Sequence, residues 1–161
     1  MSDQGPRSRC DSCLTRQLNR RRLLALAGSS TGAMLLAAVP GCGNPTGSPI
    51  TGPVSAGNVS SLAVGMLIVM SNFVVARDAA GVYAMSAVCT HAGCLMSDGA
   101  GTIAAGLFCP CHGSAFDGNG AVVAGPARLP LHHYLVTVAP DGGITVDGSQ
   151  PVAADARTPP A

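Results

Sequence analysis

Two short stretches in the second half of the chain carry the residue types that do redox and metal chemistry: Cys89-Thr90-His91-Ala92-Gly93-Cys94 and Cys109-Pro110-Cys111-His112-Gly113-Ser114-Ala115-Phe116. Each offers one Cys and one His two or three residues apart, plus a spare Cys, so two loops could clamp one site from opposite sides. Three chemistries compete for this set. A structural zinc ion would take two Cys and two His, but a Cys-x-His pair with a spare Cys fits poorly with its usual Cys-x-x-Cys and His-x-x-x-His spacings. A pair of disulfides would consume all four thiols and make the matched placing of His91 and His112 a coincidence. A two-iron two-sulfur cluster would use two Cys and two His and leave two thiols over.

The elements that must hold these loops read as short strands. Apolar, Val-rich runs occur at 62–70, 73–76, 82–88, 102–108, 121–124, 134–138 and 144–146. Between several of them lie Asp- and Gly-bearing segments at 77–81, 98–101, 117–120 and 141–143 that supply turn geometry. Strands of this length and spacing predict an all-β fold, a small antiparallel sandwich or barrel. Each Cys/His set follows directly on a predicted strand. His132 and His133 read as solvated loop residues, and Met66, Met70, Met85 and Met96 as core or loop filler. No Ser-His-Asp or paired-carboxylate pattern stands out, so a hydrolase is not expected.

Cys-Thr-His-x-Gly-Cys followed by Cys-Pro-Cys-His-Gly-Ser-x-Phe resembles the signature of the Rieske iron-sulfur family. The resemblance runs over about residues 60–148, because Gly125-Pro126-Ala127 with Leu129 and Pro130 also looks like the family's proline-bearing loop beside the cluster. It implies a Rieske-type β-sandwich or barrel with two cluster-binding loops and a 2Fe-2S cluster as cofactor. By resemblance Cys89 and Cys109 hold one iron, His91 and His112 hold the other, and Cys94 pairs with Cys111 in a disulfide. Exported and quinol-oxidising members have that disulfide, and cytosolic oxygenase ferredoxins usually lack it. Ser114 matches the hydroxyl that donates to a bridging sulfide in high-potential members. Gly93 and Gly113 are expected where no Cβ is tolerated near sulfur. Two ferric ions, two sulfides and two thiolates sum to zero charge when both His are neutral. That is why His-ligated centres lie at roughly −150 to +300 mV, against about −400 mV for plant-type ferredoxins. The implied activity is one-electron transfer within an oxidoreductase, with no catalytic residue. The nearest functional relatives implied are iron-sulfur subunits of quinol-oxidising cytochrome bc complexes, with a quinol oxidase complex and a c-type cytochrome as redox partners. Ala92 departs from the Leu usual at the cluster tip of those subunits. A periplasmic carrier or the small Rieske subunit of another oxidoreductase, such as a molybdenum enzyme, is the alternative. A redox-inert zinc or disulfide-stabilised binding module is the reading from a different class.

Charge and targeting complete the picture. Only 11% of the 161 residues are charged, against roughly 25% in an average globular chain. Six of the nine Arg lie in residues 1–22, and the remainder holds three Arg against six Asp with no Lys or Glu. Nucleic-acid binding, which needs clustered cations on the folded surface, is excluded. The basic segment 7–22 followed by the uncharged run 23–39 reads as an export signal. Its junction Asn19-Arg20-Arg21-Arg22-Leu23-Leu24 resembles the twin-arginine type, and Val39-Pro40-Gly41-Cys42 resembles a lipobox with Cys42 as the lipidation site. The expected organisation is a signal over 1–42, a Gly/Pro-rich tether over 43–58, the Rieske domain over 59–150 and a disordered tail over 151–161. The expected location is the periplasm or the outer face of the cell membrane, tethered by lipid or by a retained N-terminal anchor. Replacing Arg20, Arg21 and Arg22 by Lys is expected to abolish export of the cofactor-loaded protein, because the twin-arginine route accepts folded cargo. Fractionation checks this, and undiminished cofactor-loaded protein in the periplasm would refute it.

Overall fold

The computed structural model describes residues 46–160, so the expected signal segment, Cys42 and residues 43–45 lie outside the described part. Among the described residues the ten strands are β1 (Pro53–Asn58), β2 (Met66–Met70), β3 (Phe73–Arg77), β4 (Val82–Ser86), β5 (Gly99–Thr102), β6 (Leu107–Cys109), β7 (Ser114–Phe116), β8 (Val122–Ala124), β9 (His133–Val138) and β10 (Gly143–Val152). A seven-stranded sheet runs in the order β1-β10-β9-β4-β3-β2-β5, and a small sheet in the order β6-β7-β8. Every named strand pairing is antiparallel. The all-β expectation therefore holds.

Period-two side-chain alternation explains why β2, β3 and β4 read as nearly continuous apolar runs: β3 and β4 are buried on both faces, and β2 on one face with the other partly covered. Leu67, Val69, Val74, Ala76, Tyr83 and Met85 point into one core, shared with Leu107 and Phe116 of the small sheet and with Cys89 and Cys109. Phe73, Val75, Val82 and Ala84 point into a second core, closed by Tyr134, Val136, Ile144 and Val146 from β9 and β10. One core thus fastens the small sheet to the large one, and the other holds the large sheet's curled half together.

Several expected boundaries are corrected. The run 62–70 is not one strand: β2 begins only at Met66, after Gly65 at φ 89°. The run 102–108 is broken by a 3-10 turn at Ile103–Ala105 and by Gly106 at φ 68°, where a Cβ would sit 2.3 Å from the Phe116 carbonyl oxygen. The expected turn 98–101 instead supplies most of β5, an edge strand pairing Gly99, Ala100 and Gly101 with β2. The described part of the expected tether is no tether: Thr46 bridges Cys94, and Pro53, Val54 and Ser55 pair with β10.

The expected disordered tail is also overturned. Pro151 and Val152 extend β10, and the chain beyond them returns to the start of β4. Beyond the pairing of Ala84 with Tyr134, β4 and β9 part company. Thr158 fills the fork: it exchanges backbone hydrogen bonds with Val82 at 2.8 and 2.9 Å, and its hydroxyl donates to the Val136 carbonyl at 2.7 Å. One residue earlier, Arg157 lies 3.7 Å over the Tyr83 ring, donates to Asp78 at 2.6 Å and reaches the Asn119 side chain at 2.8 Å. Asn119 belongs to the turn between β7 and β8, so one guanidinium ties the tail, the large sheet and the small sheet together. Tyr83 in turn donates to the Gly118 carbonyl at 2.7 Å, and burial pushes its pKa up to about 12.

Burial alone would raise the Asp78 carboxyl, but the Arg157 hydrogen bond, the Ala80 and Gly81 amides and the Arg157 charge outweigh it and hold the pKa below its ordinary value. A depressed carboxyl stabilises the fold above its unfolded-state pKa and loses that contribution as pH falls through its folded value. Arg157→Ala is expected to lower the unfolding free energy by about 1 to 3 kcal/mol. It should also flatten the acid limb of stability against pH. Urea unfolding across pH 3 to 7 checks both.

Candidate metal centre

Both Cys/His sets sit at the tips of hairpins. The first tip closes where Val88 bridges Leu95 and the Cys89 amide donates to the Cys94 carbonyl at 2.8 Å. The second closes where Cys109 pairs with Ser114 across β6 and β7. Each tip wraps around its own leading cysteine: the Gly93 amide donates to the Cys89 carbonyl at 2.9 Å, and the Gly113 amide to the Cys109 carbonyl at 3.1 Å. Gly93 and Gly113 adopt φ 75° and 76°, the left-handed region that favours glycine. A Cβ at either position would meet no protein atom within 4 Å. Backbone handedness is what the described residues show to favour these glycines.

The tips face each other. Cys94 and Cys111 are joined in a disulfide with their Cα atoms 6.5 Å apart. Cys89 and Cys109 are free, buried thiols, 3% and 1% exposed. The exposed His91 and His112 bring their ring centroids to 4.8 Å at an interplanar angle of 80°. The arrangement is polarised, with sulfur donors inside and imidazoles at the surface. Burial pushes the Cys109 thiol pKa up and the neighbouring Cys89 pushes it further, while the amides of Cys111 and His112 pull it down. Two buried thiols that would have to ionise side by side are unfavourable as such. Bound positive charge removes the penalty, and the two amides already present at Cys109 suit an anionic sulfur. The Sγ atoms of Cys94 and Cys111 with the His112 ring also lie within 4.8 Å of one another, but the disulfide takes both sulfurs out of ligation.

A third loop, 125–130, braces the first two. Gly125 is wedged against the second tip, where a Cβ would sit 2.6 Å from the Gly113 carbonyl oxygen and from Ser114 Cα. The Thr90 hydroxyl donates to the Leu129 carbonyl at 2.6 Å. Ser114 is fully buried and its Oγ accepts from the Ala127 amide at 3.2 Å, which fixes the oxygen and leaves the hydroxyl proton for another acceptor. A cleft of about 510 Å³ opens beside His91, lined by Thr90, Gly125, Pro126, Arg128 and Leu129.

The Rieske (2Fe-2S) domain family matches residues 54–135. The chain belongs to the Rieske family. As a Rieske protein it carries a Rieske-type 2Fe-2S cluster and transfers electrons, and the donor set of two thiols and two imidazoles fits that group. The cytochrome b6-f complex iron-sulfur subunit of Synechococcus sp. (strain CC9605) is 46% identical over 65 residues, 40% of this chain and 35% of that protein. The subunit of the same name from Chlorobaculum tepidum is 40% identical over 75 residues, 45% of this chain and 39% of that protein. The match thus spans little more than a third of these relatives. Among solved structures, the ferredoxin of carbazole 1,9a-dioxygenase from Nocardioides aromaticivorans IC177 aligns at a TM-score of 0.44 and 29% identity, over 60% of this chain and 97% of that one.

The sequence reading placed Cys89, His91, Cys94, Cys109, Cys111 and His112 on two loops, and the structure brings those loops together. It missed His133, which is not a solvated loop residue but 4% exposed on β9, stacked on Tyr83 with ring centroids 6.1 Å apart. Its Nε2 donates to the Asn119 carbonyl at 2.9 Å, and burial pushes its pKa down. His132 beside it is exposed, as expected. Strand alternation across β9 was the signal that could have separated the two.

Phe116 is 2% exposed and packs in the core that contains Cys89 and Cys109, so its ring points inward. A phenol there can donate to a ligating sulfur, and such a bond strengthens when the site gains an electron. With a differential on the order of 1 kcal/mol and roughly 59 mV per tenfold for one electron, Phe116→Tyr should raise the midpoint potential by about 40 mV. Ser114→Ala should lower it by a similar amount. Protein-film voltammetry checks both, and a midpoint unchanged in the Tyr variant with its cofactor retained would refute the inward-donor argument.

Proposed function

We propose that this chain is the exported, membrane-tethered iron-sulfur component of a quinol-oxidising complex, passing single electrons from quinol oxidation to a c-type cytochrome. In this reading Cys89 and Cys109 hold one iron, His91 and His112 hold the other, and Ser114 donates to a bridging sulfide. Export uses the twin-arginine signal, and the tether is a lipid on Cys42 or a retained N-terminal segment. The observation that carries the proposal is the disulfide joining Cys94 and Cys111 across the two tips. A structural disulfide persists in an oxidising compartment and is rare in the cytosol. The b6-f names of the relatives support the same reading.

The cluster, when bound, supplies a one-electron couple. The chain's own residues decide where that couple is reached and how it is tuned. Burial of Cys89 and Cys109 keeps water from the sulfur side, and the exposed rings of His91 and His112 offer the surface through which an electron leaves. The Ser114 hydroxyl and the amides at Cys109 stabilise added negative charge. No residue need form a covalent intermediate.

A second reading, a carrier serving another oxidoreductase, is favoured by one residue. Ala92, exposed at the first tip, offers a smaller apolar contact than the Leu usual there in quinol-oxidising subunits. Membranes from cells with and without the chain separate the two readings. Loss of quinol:cytochrome c reductase activity on deletion, restored by the native chain, is expected. Retained activity together with an intact rhombic electron paramagnetic resonance signal from the reduced protein would favour the carrier. Cys94→Ser with Cys111→Ser should lower stability by about 2 to 4 kcal/mol and shorten the lifetime of the signal. Alkylation of the native protein without reduction should leave both thiols unmodified in the intact mass.

A further inference from the structure

The charged side chains of the folded part are almost all engaged. Asp78 and Arg157 pair with each other. Arg77 donates to the Val59 and Leu62 carbonyls. Asp98, Asp117, Asp141 and Asp147 accept from backbone amides. Arg128 and Asp155 are exposed and make no hydrogen bond or ion pair among the described residues, and of the two only Arg128 lines the cleft beside His91, as its one charged residue.

The strand register shows how the charges are distributed. β4 leads into the first tip, so the turn before it, with Asp78, lies at the opposite end of the sheet. β9 pairs its start with the end of β4, which carries Asp141 to that far end as well. β7 leaves the second tip and is followed by Asp117, and Asp155 accompanies the tail docked at Val82. Four of the six Asp therefore lie away from the tips. Asp147 is midway, opposite Leu135. Asp98 stands near the tip end, with its carboxylate turned to the Ser71 amide. A body with three Arg against six Asp thus presents a free cation at the face where His91 is exposed.

We propose that the face around His91 docks an acidic redox partner, a protein bearing carboxylates around its own electron entry point, and that Arg128 is the steering cation. Leu129, 64% exposed next to it, adds an apolar contact, and the Thr90 bond to its carbonyl keeps the loop in place before docking. Electrostatic steering of this kind acts mainly on the association rate and is screened by salt. The inference rests on the Rieske electron-transfer reading above.

Small redox ions of opposite charge test it. Reduced protein is oxidised in a stopped-flow instrument by hexacyanoferrate(III), an anion, or by tris(phenanthroline)cobalt(III), a cation; each takes one electron. At low ionic strength Arg128→Gln should slow the anionic reagent by roughly fivefold and speed the cationic one by a similar factor, and both differences should vanish at high salt. Rates are compared at measured midpoint potentials. Arg128→Lys should match the native protein, and Asp141→Asn at the far end should change neither rate. The redox-inert hexacyanochromate(III) should broaden the Leu129 methyl resonances in the native protein and not in Arg128→Gln. Rates insensitive to Arg128, or as sensitive to Asp141, would overturn the inference while leaving the cluster reading intact. A reduced protein without a paramagnetic signal and without reaction toward either reagent would overturn the cluster reading itself.

Discussion

Cys89 and Cys109 set the problem that the rest of the molecule solves: two thiols, both buried and not bonded to each other, must face one another in a region where ionised sulfur is poorly solvated. Neither hairpin could impose that alone. One tip grows from the large sheet through β4, the other from the small sheet through β6 and β7, so the thiols meet only if the sheets are held in register. The shared core does the bulk of this, since Leu67, Val74 and Met85 of the large sheet pack with Leu107 and Phe116 of the small one. The disulfide between Cys94 and Cys111 fixes the near end covalently. At the far end Arg157 joins Asp78 and Tyr83 of the large sheet to Asn119 of the small one.

Chemistry at the tips follows from which side of the pair faces solvent. Sulfur donors lie inside and imidazoles outside, so the interior tunes the site while the surface exchanges with partners. Interior control is specific: a serine whose oxygen is already held by the Ala127 amide, and amides aimed at one thiol. Surface control is left to a few exposed residues, Ala92, Arg128 and Leu129, that can vary without disturbing the core. A family can keep its cofactor chemistry and change partners along this division.

The Cys and His sets were legible from the sequence because ligand chemistry fixes residue type and spacing within a single loop. Strands β3, β4 and β9 were legible because they are apolar over most of their length. Edge strands were not. β1 buries only Ala56 of its six residues, and β5 is Gly-Ala-Gly-Thr with none buried, so neither has an alternation to read; their strand character comes from pairing with β10 and β2. The tail failed for a related reason. Nothing in residues 151–161 marks Arg157 as different from a solvated arginine until Tyr83, Asp78 and Asn119, distant in sequence, are brought beneath it.

Fastening the two sheets at both ends bears on electron transfer as much as on stability. An electron moves fast when the surroundings need little rearrangement between oxidised and reduced forms, and dipoles fixed beforehand serve this better than groups that must reorient. The tips meet that condition through restraints that do not depend on redox state: the Gly93 and Gly113 amide bonds, the disulfide, the Thr90 bond to Leu129 and the Gly125 wedge. Removing one restraint would leave the others in place, so the fold should tolerate the loss better than the electron-transfer rate does. The turn containing Asn119 is the exception, because it meets the Arg157 side chain, the Tyr83 hydroxyl at Gly118 and the His133 ring at once. That turn directly follows β7, whose first residue is Ser114, so hydrogen bonds link the tail to the strand that leads back to the second tip.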